Sequence, residues 1–213
     1  MNKFIKTLTV ILVISGLTVL CGLLAARFAD KLDRARYPLK YTDLVEKYAE
    51  VYKVPRDICY AVIRTESGFD PTAVSAAGAV GLMQMMPATF ADLTARTGDN
   101  YETGMLYDPE TSIRYGVYYL SMLYDRYGVW DTAFAAYNCG MGRVDGWIEE
   151  GKIDETGRLT EIPIAETRAY VGRVKEAIGK YEKLYNTESE KKIFIYQRRF
   201  QNGRTRLQEE KLL

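Results

Sequence analysis

The chain has 213 residues, enough for one sizeable globular core with flanking segments. Its 29 basic and 28 acidic residues nearly cancel, so no net field recruits nucleic acid or repels an anionic polymer. Histidine is absent, which removes Ser-His-Asp and Cys-His nucleophile systems, histidine-ligated zinc and the commonest general base; catalysis is left to carboxylates, tyrosines, lysines or cysteines.

From Thr7 to Ala26 twenty residues run without a charge, behind Lys3 and Lys6 and ahead of Arg27. As a helix that length crosses a hydrocarbon core of about 30 Å. The run is longer than the roughly 7–15 residue core of a cleaved signal peptide, and no small-x-small site follows it. Leu20 also stands where a lipoprotein site at Cys21 would call for a small residue, so an uncleaved anchor is expected. Basic residues flank both ends and do not orient it. Asp30 to Lys40 is charged and reads as a juxtamembrane linker or a continuing helix, so residues 1–40 form the anchor segment.

The globular part is expected over residues 41–185. Leu44, Val45, Tyr48, Ala49 and Tyr52 recur at helical spacing, and Pro55 opens a second helix that carries Ile58, Val62 and Ile63 and ends near Glu66-Ser67-Gly68. A loop of small residues from Phe69 to Val80 and a short apolar segment from Gly81 to Met86 precede a helix from Pro87 to about Arg96. Asp108-Pro109-Glu110 is a strong helix start, and Gly128 stops that helix. Trp130 to Asn138 reads as a short helix with a glycine-rich exit, Arg143 to Ile148 as a further turn or two, and Ile164 to Tyr185 as a long amphipathic helix. Alternating strands and internal repeats are missing, so the fold class is mainly α. Residues 186–213 form a charged tail. Cys59 and Cys139 are left either paired or free, and three scattered cysteines make no metal site. The seventeen tyrosines suit helix packing and, with their flat faces and polar tips, stacking on sugar rings.

Glu66 ends a helix whose preceding face is apolar. A carboxyl there meets the negative end of the helix dipole with few solvating neighbours, and both effects raise its pKa. An acid kept protonated near neutrality can protonate a leaving-group oxygen, as cleavage of a glycosidic bond requires.

Residues 66–89 read ESGFDPTAVSAAGAVGLMQMMPAT. This resembles the signature of the soluble lytic transglycosylase family, E-S-x-F-x-P-x-A-x-S-x-x-G-A-x-G-L-M-Q-x-M-P-x-T, at every specified position. Ala136-Tyr137-Asn138 with Gly140, and Glu166-Thr167-Arg168 leading to Tyr170-Val171, resemble two later family elements in order. The resemblance spans Tyr41 to Tyr185 and implies a lysozyme-like helical domain of the goose-type and lytic transglycosylase kind, with a groove for peptidoglycan glycan strands and no cofactor or metal.

By that resemblance Glu66 is the catalytic acid and then base. Tyr137 would contact its carboxylate, and Asn138, Ser75, Gln84, Met86, Glu166 and Tyr170 would line the groove. Gly78 and Gly81 would allow close backbone approach to sugar or to the catalytic helix. Glu166 could instead pair with Arg168 or Arg173, and Ser67 could cap its helix. Cys139 stands where the family often has alanine, and Met141 where it often has proline. The implied substrate lies outside the cytoplasm, which places the domain there as a single-pass membrane protein. A goose-type muramidase that hydrolyses the same bond, with Asp70 or Glu102 as a second acid, and a non-catalytic wall-binding scaffold are the competing readings.

Overall fold

The computed structural model describes residues 3–185, and the charged tail expected over 186–213 lies outside them. The chain divides at Pro38 into two compact units. The first is a helix, α1 (Lys3–Arg36), which continues through the charged stretch after the apolar run. Its apolar side chains point outward on every side: Leu12, Val19, Leu23 and Phe28 are all more than half exposed. A helix that is apolar all round buries itself in a core or a bilayer. The stretch Thr7–Arg36 is long and apolar enough to cross a membrane by length and composition.

The second unit is helical. Helices α2 (Thr42–Tyr52) and α3 (Arg56–Ser67) come first, and α3 stops at Gly68, whose positive φ lets its N–H donate to the Arg64 carbonyl. Helix α4 (Pro87–Thr97) starts at its proline. A 3-10 turn over Thr103–Tyr107, for which the sequence offers no periodic signal, leads to α5 (Pro109–Tyr127). The Asp108 carboxylate caps α5 by accepting from the Thr111 N–H at 2.8 Å. Helices α6 (Trp130–Cys139), α7 (Met141–Glu149) and α8 (Ala165–Tyr185) complete it, α7 being longer than the turn or two expected. Among the described residues there are isolated antiparallel bridges and no strands. All three cysteines are free, so Cys59 and Cys139 do not pair.

Helix α3 packs against α8, α5 against α2 and α6, and α6 against α7 and α8 as well. The interior between them holds Val62, Ile63, Leu120, Leu123, Phe134, Val174 and Tyr181, all fully buried. Each such side chain removed from water contributes roughly 1.5–3 kcal/mol.

Between α3 and α4 the chain forms no helix, yet residues 80–85 are buried apart from the half-buried Gln84, and hydrogen bonds from α3, α5 and α6 fasten them. Val80 and Met85 exchange both N–H to carbonyl bonds at 3.0 Å. The Ser67 hydroxyl at the end of α3 donates to the Leu82 carbonyl at 2.8 Å. The Met83 N–H donates to the Ser112 hydroxyl of α5 at 3.3 Å, and the Tyr137 hydroxyl of α6 donates to the Met83 carbonyl at 2.7 Å. The Met83 side chain lies on α5 at Gly116, where any Cβ would overlap it. Gly81, at φ +79, comes so close to the Leu106 carbonyl oxygen that a Cβ would collide with that backbone. Within the chain the close approach at Gly81 is therefore to the 3-10 turn rather than to α3. At Gly78, with φ +85, the surrounding space is open and backbone conformation is the only requirement.

Gly81 and Gly68 share a positive φ but differ in space. Gly81→Ala adds a backbone collision to conformational strain and is expected to cost about 3 kcal/mol or more. Gly68→Ala, with nothing nearby to strike, is expected to cost about 1 kcal/mol. Urea unfolding midpoints of the two variants check the difference; equal losses would mean that the contact with Leu106 is not tight.

Candidate active site

Glu66 is the penultimate residue of α3 and is half-buried. Opposite it, α8 presents Tyr170, which is 2 % exposed and donates its hydroxyl to Glu66 Oε1 at 2.7 Å. Burial pushes the Glu66 carboxyl up to about 7 from its ordinary 4.5; the Tyr170 hydrogen bond and the positive charge of Arg173 oppose that rise without cancelling it. Desolvation wins because the one phenol and the nearby cation replace only part of the hydration that the charged form loses. Tyr170 itself is held far above the ordinary phenol range, first by burial and then by the Glu66 charge, so it remains a donor.

No other carboxylate acts on the titration of Glu66 among the described residues. Asp70 is occupied locally: its Oδ1 accepts from the Thr72 N–H at 2.8 Å and the Thr72 hydroxyl at 2.7 Å, and these bonds hold it below its usual range. Glu102 is exposed and precedes the 3-10 turn.

Beside this pair lies a cavity of about 180 Å³, lined by Gln84, Met85, Met86, Thr89, Tyr119, Tyr137, Asn138, Cys139 and Gly140. Glu66 is not part of its lining. Tyr137 connects the two places, since it lines the cavity and its titration feels the Glu66 charge. The Tyr137 hydroxyl does not reach the carboxylate as expected, because it is committed to the Met83 carbonyl; the contacting tyrosine is Tyr170. The Tyr119 and Tyr137 rings sit 5.4 Å apart and form one wall. Asn138 is oriented by the buried Thr167, whose hydroxyl donates to its Oδ1 at 2.8 Å. The Glu-Thr-Arg element of α8 therefore supports the site through its threonine, while Arg168 donates to the Ile162 carbonyl.

The remaining expected residues take several places. Met86 is exposed at the cavity, 42 % accessible. Gln84 holds an unusual positive φ of 45 and turns its amide nitrogen onto the Ala73 and Gly81 carbonyls at 3.0 and 2.9 Å. Ser75 caps a tight turn, its hydroxyl accepting from the Ala79 N–H at 3.0 Å, and does not line the cavity. Glu166 is exposed, and among the described residues it pairs with neither Arg168 nor Arg173. Ser67 joins α3 to the Leu82 carbonyl, so it links elements as well as finishing its helix. Thr89 and Tyr119 were not singled out by the sequence. Thr89 closes the signature, but Tyr119 follows the same spacing as the core residues of α5 and carries no separate signal.

The raised carboxyl has a cost in stability. In the folded state Glu66 keeps its proton up to about pH 7, whereas in the unfolded chain it loses it near 4.5, so stability is lost as pH rises through that window. Glu66→Gln keeps the shape and removes the charge. Its unfolding midpoint is expected to match the parent at pH 4 and exceed it at pH 8, by a free energy on the order of 3 kcal/mol. Parallel melting curves at the two pH values check this; a pH-independent difference would mean that Glu66 is not desolvated.

The transglycosylase SLT domain family matches residues 43–158. Among curated relatives, the soluble lytic murein transglycosylase of Escherichia coli K12 is 37% identical over 158 residues, which cover 71% of this chain and 24% of that one. Membrane-bound lytic murein transglycosylase C of Actinobacillus pleuropneumoniae is 32% identical over 166 residues, 67% of this chain and 46% of that one. The crystal structure of the 70 kDa soluble lytic transglycosylase from Escherichia coli superposes with a TM-score of 0.66 at 35% identity, covering 74% of this chain and 26% of that one. The chain thus spans about a quarter to a half of the length of these relatives, and its helical unit has the fold of their lytic transglycosylase region. With its signature, its helices and its half-buried acid in agreement, the chain belongs to the transglycosylase SLT domain family.

Proposed function

We propose that this chain is a peptidoglycan lytic transglycosylase with Glu66 as its single acid and base. One observation carries the reading: a lone carboxyl, held near half-protonation at neutral pH against Tyr170, with no second carboxylate acting on it among the described residues. Hydrolytic glycosidases of the usual kind place two carboxyl groups across the bond. In this reading Glu66 alone does both proton transfers.

In the first step the Glu66 carboxylic acid gives its proton to the oxygen between N-acetylmuramic acid and N-acetylglucosamine. The bond from C1 of the muramyl sugar to that oxygen breaks, and the sugar's own 2-acetamido oxygen closes on C1 as an oxazolinium. Tyr170 strengthens its bond to the carboxylate as charge develops there. In the second step Glu66 takes the proton from the C6 hydroxyl of the same sugar. The C6 oxygen attacks C1, the oxazolinium opens, and a 1,6-anhydro ring forms. The acid is regenerated, and neither water nor a cofactor enters.

Gln84, Met86, Tyr137 and Asn138 form the wall that receives the sugars, with Asn138 held for hydrogen bonding by Thr167 and Met86 supplying an apolar face. Ser75 acts through the turn it caps, and Glu166 stands at the groove margin on α8. Helix α1 anchors the chain in a membrane as a single span, and the domain works outside the cytoplasm, where the polymer lies. The membrane-bound relative and the apolar surface of α1 support the anchoring.

Full-length protein in detergent, incubated with isolated sacculi, tests this by mass spectrometry of the products. Muropeptides lighter by one water and lacking a reducing end are expected; reducing muramic ends would identify a hydrolase, and no cleavage would leave a binding protein. The rate should fall as pH rises through about 7. Tyr170→Phe removes a bond that favours the charged carboxylate, so it should move that alkaline limb to higher pH while slowing turnover roughly tenfold.

A further inference from the structure

Glu166, Tyr170 and Arg173 follow one another on α8 at i, i+4 and i+7 and so share one stripe of the helix. The middle residue is buried with its hydroxyl on Glu66, and the two charged ones stand exposed on either side. They are separated by roughly 10 Å along the axis, and no ion pair joins them among the described residues. Arg173 makes no hydrogen bond or ion pair among the described residues, whereas Lys175, two positions on, is held on Asp131 at 2.7 Å. A guanidinium one helical turn from the tyrosine that grips the catalytic acid is a planar fork of donors with no acceptor. Its charge reaches both Glu66 and Tyr170.

We propose that Arg173 is a specificity-determining residue that binds a carboxylate on the 3-O-lactyl arm of the muramyl sugar whose bond is cut at Glu66. This rests on the transglycosylase reading. When C1 of that sugar is at Glu66, the lactyl arm leaves C3 of the same ring, a few bonds away. The arm ends in its own carboxylate where the glycan is bare and continues into a peptide stem bearing carboxylates where it is not. Both sources present the same anion to the same fork. Glu166 at the other end of the stripe repels it, so the charge order along α8 directs the arm toward the C-terminal side. A polymer of N-acetylglucosamine alone has no such arm and would gain nothing from Arg173.

Binding to full-length Glu66→Gln in detergent tests this without consuming the ligand. Three glycan probes are compared by calorimetry: one with the free lactyl carboxylate, one with a peptide stem, and one whose lactyl group is a methylamide with no carboxylate. A carboxylate-bearing probe is expected to bind about tenfold tighter than the methylamide. Adding Arg173→Gln should abolish that preference while leaving the methylamide unchanged, and Arg173→Lys should restore part of it. Whichever acidic probe shows the preference identifies the source of the anion. Because Arg173 is exposed, the unfolding midpoint of Arg173→Gln should equal that of its parent. An equal loss for all three probes, or no loss for any, would overturn the proposal. Anhydro products from the wild type alongside such a result would sink only the role of Arg173; reducing ends or no products would sink the reading beneath it.

Discussion

The hydrogen bond from Tyr170 to Glu66 joins residues 104 positions apart and closes the interface between α3 and α8. In water a phenol and a carboxylate would each exchange this bond for others of similar strength. At this interface water is largely withdrawn, and three influences are left to decide the charge of Glu66. Burial drives it toward the neutral acid, and the Tyr170 hydroxyl and Arg173 pull it back. The balance falls near neutrality because burial outweighs the two opposing influences. Packing between α3 and α8 therefore controls the charge of Glu66: the stacked rings of Tyr60 and Tyr181, 5.5 Å apart, hold the same two helices together farther along. Any change that loosens that seam admits water and returns Glu66 toward an ordinary carboxylate.

The buried loop before α4 gives the acid its second support. Ser67, adjacent to Glu66, holds Leu82, while Ser112 and Tyr137 hold Met83 from two other helices. The end of α3 and the wall of the cavity are thus one hydrogen-bonded unit. Gln84 keeps a left-handed backbone conformation that costs a residue with a side chain about 1–3 kcal/mol. Its amide bonds to the Ala73 and Gly81 carbonyls offset that cost and tie the two arms of the loop together.

Much of this was legible in the chain. Pro55, Pro87, Asp108-Pro109, Gly68 and Gly128 are strong local signals, and the helices begin and end at them. Glu66 was legible only through the signature around it, since an isolated helix-end glutamate says little. Which tyrosine meets the acid was not legible. Tyr137 and Tyr170 both lie in family elements at helical spacing, and the choice depends on the Met83 carbonyl capturing the Tyr137 hydroxyl, a contact across 54 positions. Tyr170 was expected at the groove, but its bond to the acid was not legible, because a tyrosine on the buried stripe of α8 otherwise reads as packing. The cavity wall at Tyr119 and the free fork of Arg173 also arise only when helices distant in sequence are brought together.

The proposed lytic reaction depends on a carboxyl whose proton is held by burial. The carbonyl-carbon NMR shift of the Glu66 side chain, followed against pH in the full-length protein in detergent micelles and assigned by its loss in Glu66→Gln, reads that proton directly. An inflection near 7 is predicted. An inflection near the ordinary glutamate value of 4.5 would contradict it, because Glu66 would then be ionised at neutral pH and could not act first as the acid.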